Sequence, residues 1–391
     1  MPKIRSQRSA LILIVIAQFL GTSLWFAGNA AAPEWEVLLG KEGIVPILTS
    51  VVQLGFISGT FLYALGSIPD RNSPVKVFFF SAILASISNL MILVFPFSYP
   101  SLLILRFLVG FFLAGIYPVG MKIAADYFEK GLGVALGFLV GALVLGTAFP
   151  FLLKGLGITI SWKIILFATS LLAILGGALI GFLVPNGPFR KSNPKFDPGL
   201  LPQLAKNNAL KASAGGYFGH MWELYTFWAF LPALILTLTQ EAVSSSQSAY
   251  WTFLVIASGG ISCALGGWIA QKKGSQEVAL FSLFGSGLCG VLLLIFPEIP
   301  LIWVLPFMLV WGMLVTADSP QFSTLVAQSV SPEHRGTALT LVNSLGFALT
   351  ILSIYLTTWL ISEIGVRVAL GLLSIGPLVG ISIYSRFKKK S

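Results

Sequence analysis

Charge is what this sequence has least of. Aspartate, glutamate, lysine and arginine together make up 10% of its 391 residues, and hydrophobic residues make up 56%. A soluble domain has about 25% charged residues, so this chain lacks the polar surface to cover itself in water. Cysteine is equally scarce: Cys263 and Cys289 both lie in apolar runs, which excludes a disulfide framework and leaves them as small packing residues. The only histidines are His220 and His334, too few for most metal sites. No polar stretch exceeds about 27 residues, well short of a separate soluble domain. A phosphate-cradling G-x-x-x-x-G-K-[ST] loop is also missing, so ATP is not expected to act on the chain directly. No metal and no cofactor is expected.

What is present is a series of apolar runs of about twenty residues or more, continuous rather than alternating, which reads as membrane-spanning helices and not as a β-barrel. Twelve spans are expected, near residues 9–32, 44–68, 77–97, 101–128, 132–153, 162–184, 212–238, 248–270, 278–296, 301–326, 337–361 and 368–384. The first follows Lys3, Arg5 and Arg8 and ends in Ala30, Ala31 and Ala32, like a secretory signal. Its apolar run is longer than a usual signal core of about 7–15 residues, so a retained span is expected. An acidic connector with Glu34, Glu36 and Glu42 is expected after it.

The net charge of +10 would suit a nucleic-acid partner, but its location argues for topology instead. With the N-terminus inside, eighteen of the 24 lysines and arginines fall in inner connectors and tails. Four (Lys41, Lys154, Lys163, Arg367) fall in outer ones, and two (Arg106, Lys122) lie within span 4. By the positive-inside rule, both termini and the connector at 185–211 are cytoplasmic. The expected partners are the lipid bilayer of the cytoplasmic membrane and a small-molecule substrate, with no nucleic acid, and a monomer is expected.

Six spans, a long polar connector and six more spans suggest duplication: a half at 1–184, a linker at 185–211 and a half at 212–391. A glycine followed four residues later by a polar and then a basic residue recurs as Gly66…Asp70-Arg71 and Gly267…Gln271-Lys272, each in the second connector of its half.

The connector Gly66…Asp70-Arg71…Lys76 resembles the G-x-x-x-D-R-x-G-R-[KR] pattern of the major facilitator superfamily. Ser73-Pro74-Val75 stands where the family prefers Gly-Arg-Arg, and the second copy has Gln271 for aspartate. Arg106 and Gly110 resemble the family's R-x-x-x-G pattern in span 4. Gly137, Gly141, Gly146 and Pro150 resemble its glycine-rich span 5, and residues 331–337 its connector between spans 10 and 11. The resemblance covers the whole chain and implies an all-α integral membrane fold of two six-helix halves. It further implies that spans 1, 4, 7 and 10 line a central cavity, that substrate binds near the midplane, and that Asp70 and Arg71 act in gating. Ordinary turn chemistry is the other reading of those two residues. The sugar-porter P-E-S-P-R after span 6 reads Pro185-Asn-Gly-Pro-Phe-Arg190, and the nitrate-porter signatures are not matched.

Independently of the resemblance, the costly residues gather in three spans: Arg106 and Lys122 in span 4, His220 and Glu223 in span 7, Asp318 in span 10. A charge in hydrocarbon costs roughly 2.5–3.5 kcal/mol on insertion scales and normally faces a cavity or a partner. His220 and Glu223, three residues apart, share a helix face among Tyr217, Trp222, Tyr225, Phe227 and Trp228. Glu223 reads either as a group that gains and loses a proton or as half of a permanent salt bridge. His220 reads as a proton relay or an interhelical hydrogen bond. Asp318 precedes Pro320, which disturbs the helix and frees a carbonyl for polar neighbours; this makes either a gate or a tied-off kink. Lys122 reads as an anion-attracting residue, a partner of Glu223 or Asp318, or an i, i+4 partner of Asp126. Tyr117, Trp222, Tyr225, Gln321 and Asn343 are weaker candidates for substrate contact.

The expected function is secondary active transport of a small organic solute, an anion slightly favoured, by proton-coupled alternating access. Proton-driven export of amphipathic compounds is the second reading. A non-transporting sensor or a membrane-embedded enzyme is remote, because no nucleophile–base pair or metal constellation is visible.

Overall fold

The structure is a computed structural model and describes residues 7–94, 97–128, 132–156, 160–190, 198–331 and 334–389. Of the residues read as topology signals, Lys3, Arg5, Lys130, Lys191, Lys195 and Lys390 lie outside the described residues, as do two members of the 331–337 motif. Among the described residues twelve helices long and apolar enough to cross a membrane follow one another. They are α1 (Gln7–Leu39), α2 (Val45–Leu65), α3 (Pro74–Val94), α4 (Tyr99–Ala125), α5 (Gly133–Gly155), α6 (Trp162–Leu183), α7 (Asn208–Leu238), α8 (Ser245–Lys273), α9 (Ser275–Ile295), α10 (Leu301–Gln328), α11 (Arg335–Ile364) and α12 (Val366–Lys388). No strand occurs among the described residues. In lipid a backbone must satisfy its own hydrogen bonds, and the helix does so within each span.

One expected boundary moves. α1 runs seven residues past Ala32, through Pro33 to Leu39, and closes on Gly40 in the left-handed conformation (φ 58°). Glu34 and Glu36 therefore sit on the last turns of a helix and not in a connector. They are useful there. The Glu34 carboxylate accepts from the Lys154 ammonium at 2.6 Å and from the first backbone N–H of α6, that of Trp162, at 3.1 Å. Glu36 accepts from the Ile44 N–H at 3.0 Å.

Three helices are interrupted by turns, and α12 passes through a short 3-10 segment at Leu372–Ser374. α1 breaks into turns at residues 23–26, α4 divides into Tyr99–Leu113 and Tyr117–Ala125, and α10 divides at Asp318 into Leu301–Ala317 and Ser319–Gln328. The last two interruptions share a cause. Pro118 and Pro320 each stand nineteen residues after the first residue of their helix, and a proline removes one i to i−4 hydrogen bond.

The chain forms two compact units, residues 1–193 and 194–391, the division falling inside the polar connector. Each unit repeats the same neighbourhoods. In the first, α1 packs on α5 and α6, α2 on α4, and α3 on α4 and α6; in the second, α7 packs on α11 and α12, α8 on α10, and α9 on α10 and α12. The tightest seams also correspond. Gly110, eleven residues into α4, lies against the Val52 carbonyl of α2, and Gly312, eleven residues into α10, lies against the Val255 carbonyl of α8. A side chain at either glycine would meet backbone. Small residues of this kind let membrane helices approach closely where hydrophobicity offers no drive.

Candidate functional site

In the C-terminal unit three titratable side chains, His220, Glu223 and Asp318, are wholly removed from the surface. The first two come from the unbroken α7, one turn apart. Asp318 comes from the break in α10, where Pro320 has no N–H to offer the Thr316 carbonyl. The Cys263 thiol of α8 donates to that carbonyl at 3.3 Å. Asp318 faces His220, with Oδ1 and Nδ1 2.8 Å apart. That is ion-pair distance; His220 Nε2 and Asp318 Oδ2 have no hydrogen-bonding partner among the described residues. The Tyr217 ring lies 6.0 Å from the imidazole.

Within its own unit Glu223 has no cationic partner among the described residues. Its carboxylate is met by neutral donors from two other helices: Trp311 Nε1 of α10 donates to Oε1 at 2.7 Å, and Ser286 Oγ of α9 donates to Oε2 at 2.8 Å. No lysine or arginine of this unit forms a salt bridge with it among the described residues. Aromatic rings pack round the cluster. Phe227 tilts over Trp311 at 4.7 Å, and Tyr225 lies 5.3 Å from Trp228 and 5.2 Å from Phe347. Trp222 is half-buried, with its carbonyl accepting from Ser353 at 2.6 Å and its indole N–H unpartnered among the described residues. Gln321 is buried just past the α10 break, and Asn343 is half-buried on α11.

In the N-terminal unit Arg106 is fully buried, and among the described residues of that unit it pairs with no carboxylate. The break in α1 exposes the carbonyls of Leu24 and Trp25; the guanidinium donates to them at 3.1 and 2.7 Å and to the Asn89 side chain at 3.1 Å. Its donors thus tie α4 to the interruption of α1 and to α3. The Tyr117 ring packs 6.4 Å from Phe56 of α2.

Lys122 pairs with Asp70 at 2.8 Å, joining α4 to the connector between α2 and α3. Within this unit its ammonium forms no ion pair with Asp126, one of the partners weighed from the sequence. The same connector, held in a short helical turn Ile68–Arg71 after Ser67 at φ 48°, is clamped by Arg190. That guanidinium donates to the carbonyls of Asp70 at 3.1 Å and Asn72 at 2.7 Å, while Arg71 points to the exterior. Two further bonds dock the segment after α6 on this end: Ser73 to Asn186 at 2.7 Å and Tyr127 to the Pro185 carbonyl at 2.6 Å. Burial pushes the Asp126 carboxyl up from the usual range, against the pull of Lys122 and Arg190.

Sequence reasoning did not find Trp311, Ser286 or Arg190. A lone tryptophan, serine or connector arginine has no signature of its own; each gains its role from a residue far away in sequence. Gln18 of α1 also went unnoticed. It is fully buried with neither amide atom hydrogen-bonded among the described residues.

A duplicated six-helix bundle with buried acids inside apolar spans defines a polytopic membrane carrier. The sequence matches the Major Facilitator Superfamily over residues 10–353 and again over 214–390. The chain belongs to that family, whose members are secondary transporters. No curated protein matches its sequence. Its fold is similar to that of the human organic anion transporter MFSD10 (TETRAN), with a TM-score of 0.74 and 14% identity, covering 97% of this chain and 100% of that one. It is also similar to a bacterial homolog of the human lysosomal transporter Spinster. The inward-facing unoccupied form gives a TM-score of 0.67 at 16% identity, covering 99% of this chain and 98% of that one. The inward-facing occupied form gives 0.69 at 15%, covering 100% and 98%.

Proposed function

We propose that this transporter couples movement of a small organic solute to the proton gradient across the cytoplasmic membrane, with Glu223 as the group that takes up and releases the proton. The observation that carries this reading is the company Glu223 keeps. It is fully buried, and it is met by two neutral donors and no cation. An ion so placed lacks the compensation a permanent buried charge needs, whereas the neutral acid does not. The His220–Asp318 pair, one turn away along α7, supplies a second titratable unit. Alternating access then exposes the buried acid to one side of the membrane at a time.

An organic anion is the slightly favoured solute, because α4 carries two basic side chains, Arg106 fully buried within it and Lys122 in its last turn. An anion reaching Lys122 must displace the Asp70 carboxylate, which makes opening of that pair the gating step. One protein of similar fold is an organic anion transporter; at 14% identity that likeness concerns fold alone. Export of amphipathic compounds is the second reading, favoured by the aromatic wall of Tyr225, Trp228 and Phe347.

Proteoliposomes with an imposed pH gradient test the coupling, once a thermal-shift screen of organic anions and amphipathic cations has supplied a ligand. Glu223→Gln is expected to abolish gradient-driven accumulation while retaining solute exchange. Full accumulation by that variant would remove the coupling role. Anion affinity unchanged in Lys122→Ala would remove the anion preference.

A further inference from the structure

The Ser286 hydroxyl stands between two acceptors. Its Oγ is 2.8 Å from Glu223 Oε2 and 3.1 Å from the carbonyl oxygen of Leu283, one turn earlier on α9. A hydroxyl has one proton to donate and lone pairs with which to accept, so it cannot donate to both at once. Trp311 Nε1, 2.7 Å from Oε1, is a donor only.

We propose that Ser286 is a reversible partner for Glu223, donating to it when it is ionised and accepting from it when it is protonated, while Trp311 fixes which oxygen takes the proton. The inference rests on the reading of Glu223 as the proton-carrying group. With the carboxylate ionised, Ser286 O–H points to Oε2 and Trp311 N–H to Oε1. When a proton arrives, Oε1 keeps the indole bond, because the carbonyl oxygen of a carboxylic acid is a better acceptor than its hydroxyl oxygen, so Oε2 becomes the O–H. The Ser286 proton then turns about the Cβ–Oγ bond onto the Leu283 carbonyl, and Oγ accepts from Oε2–H. No bond in the serine breaks, no heavy atom moves, and every polar atom of the cluster stays satisfied in both states. Leaving one unsatisfied would cost about 1–3 kcal/mol. Uptake and release of the proton therefore need no repacking of a tightly filled core. Ser286 acts here as a positioning residue. The titratable groups that face Glu223 are Asp318 with its partner His220, on α10 and α7, and Cys289 on α9. The charged residues of α8, α11 and α12 (Lys272, Lys273, Arg335, Glu363, Arg367, Arg386 and Lys388) stand at the ends of those helices.

The test is infrared difference spectroscopy of the full-length protein in lipid nanodiscs, reading the carboxylic-acid C=O stretch between alkaline and acid pH. The Glu223 band is the one lost in Glu223→Gln. The proposal expects it to shift to higher frequency in Ser286→Ala, which removes the acceptor of the acid proton, and in Trp311→Phe, which removes the donor to the carbonyl. Ser286→Thr is expected to return it to the wild-type position. A Glu223 band that keeps its frequency in Ser286→Ala overturns the role of Ser286 and leaves the coupling role standing; if that variant does not fold, an unmoved band in Trp311→Phe overturns the fixed assignment of oxygens. If no band at any pH disappears in Glu223→Gln, the proton-carrying role of Glu223 falls, and this inference with it.

Discussion

Arg106 shows how one residue type can serve opposite ends. Read along the chain it is a cation within a span, open to a structural, a proton-related or an anion-attracting role. In the fold its guanidinium meets the Leu24 and Trp25 carbonyls, which the interruption of α1 has released, together with Asn89. The sequence shows a buried arginine but does not show that α1 breaks at residues 23–26, so the arginine's partners were illegible. Arg106→Met is expected to lower the unfolding free energy by about 3 kcal/mol, because several charge-assisted bonds vanish and buried carbonyls lose their donors. Thermal unfolding of the purified variant checks this. A loss below about 0.5 kcal/mol would mean that water replaces the guanidinium there. Glu223 is the contrasting case. Its depth in a span and its aromatic surroundings were visible from the stretch around it, but Trp311 and Ser286 lie 88 and 63 residues away, and no local pattern links them.

At the scale of elements, the spans are legible because membrane solvation imposes them: about twenty apolar residues must fold as helix whatever their neighbours. The interruption near Pro320 is legible in part, since a proline lacks its N–H in any context; Pro150 and Pro232, however, lie inside helices that stay unbroken, so the one near Pro118 is not legible. The run of α1 past Ala32 was not, because Glu34 and Glu36 look like connector residues until Lys154, the start of α6 and Ile44 provide their partners. The close α2–α4 seam yields a sharp expectation. Gly110→Ala places a methyl group against the Val52 carbonyl, whereas Gly133→Ala in α5 meets nothing within 4 Å. The first is expected to destabilise by about 1–3 kcal/mol through overpacking. The second is expected to be neutral or slightly stabilising, as alanine is the better helix former. Parallel thermal melts of the two variants decide the matter, and equal behaviour would refute the seam.

For the whole molecule the distribution of basic residues predicts sidedness. Lys206 in the central connector and Glu42 after α1 are both exposed, and the native Cys263 and Cys289 are buried. In sealed, right-side-out vesicles a membrane-impermeant thiol reagent is expected to label Glu42→Cys and to spare Lys206→Cys until the vesicles are opened. Labelling in the reverse order would invert the topology. The repeat is also a property of this scale. The sequence hints at it through Gly66 and Gly267. Within each unit the structure displays it as the same set of helix neighbours and as glycines and prolines at matching places in α4 and α10.

The sequence by itself determined that the chain is a membrane protein of twelve helices, and its motifs and topology pointed to a family of carriers. These conclusions rest on the cost of exposing polar groups to lipid, a cost each segment meets alone. Only the tertiary structure decided which partners the scarce charges take: Asp70 for Lys122, backbone carbonyls for Arg106, Asp318 for His220, and a tryptophan and a serine for Glu223. Pairing in a low-dielectric interior is settled by ångström-scale placement of residues far apart in the chain, and that placement exists only after the helices have packed.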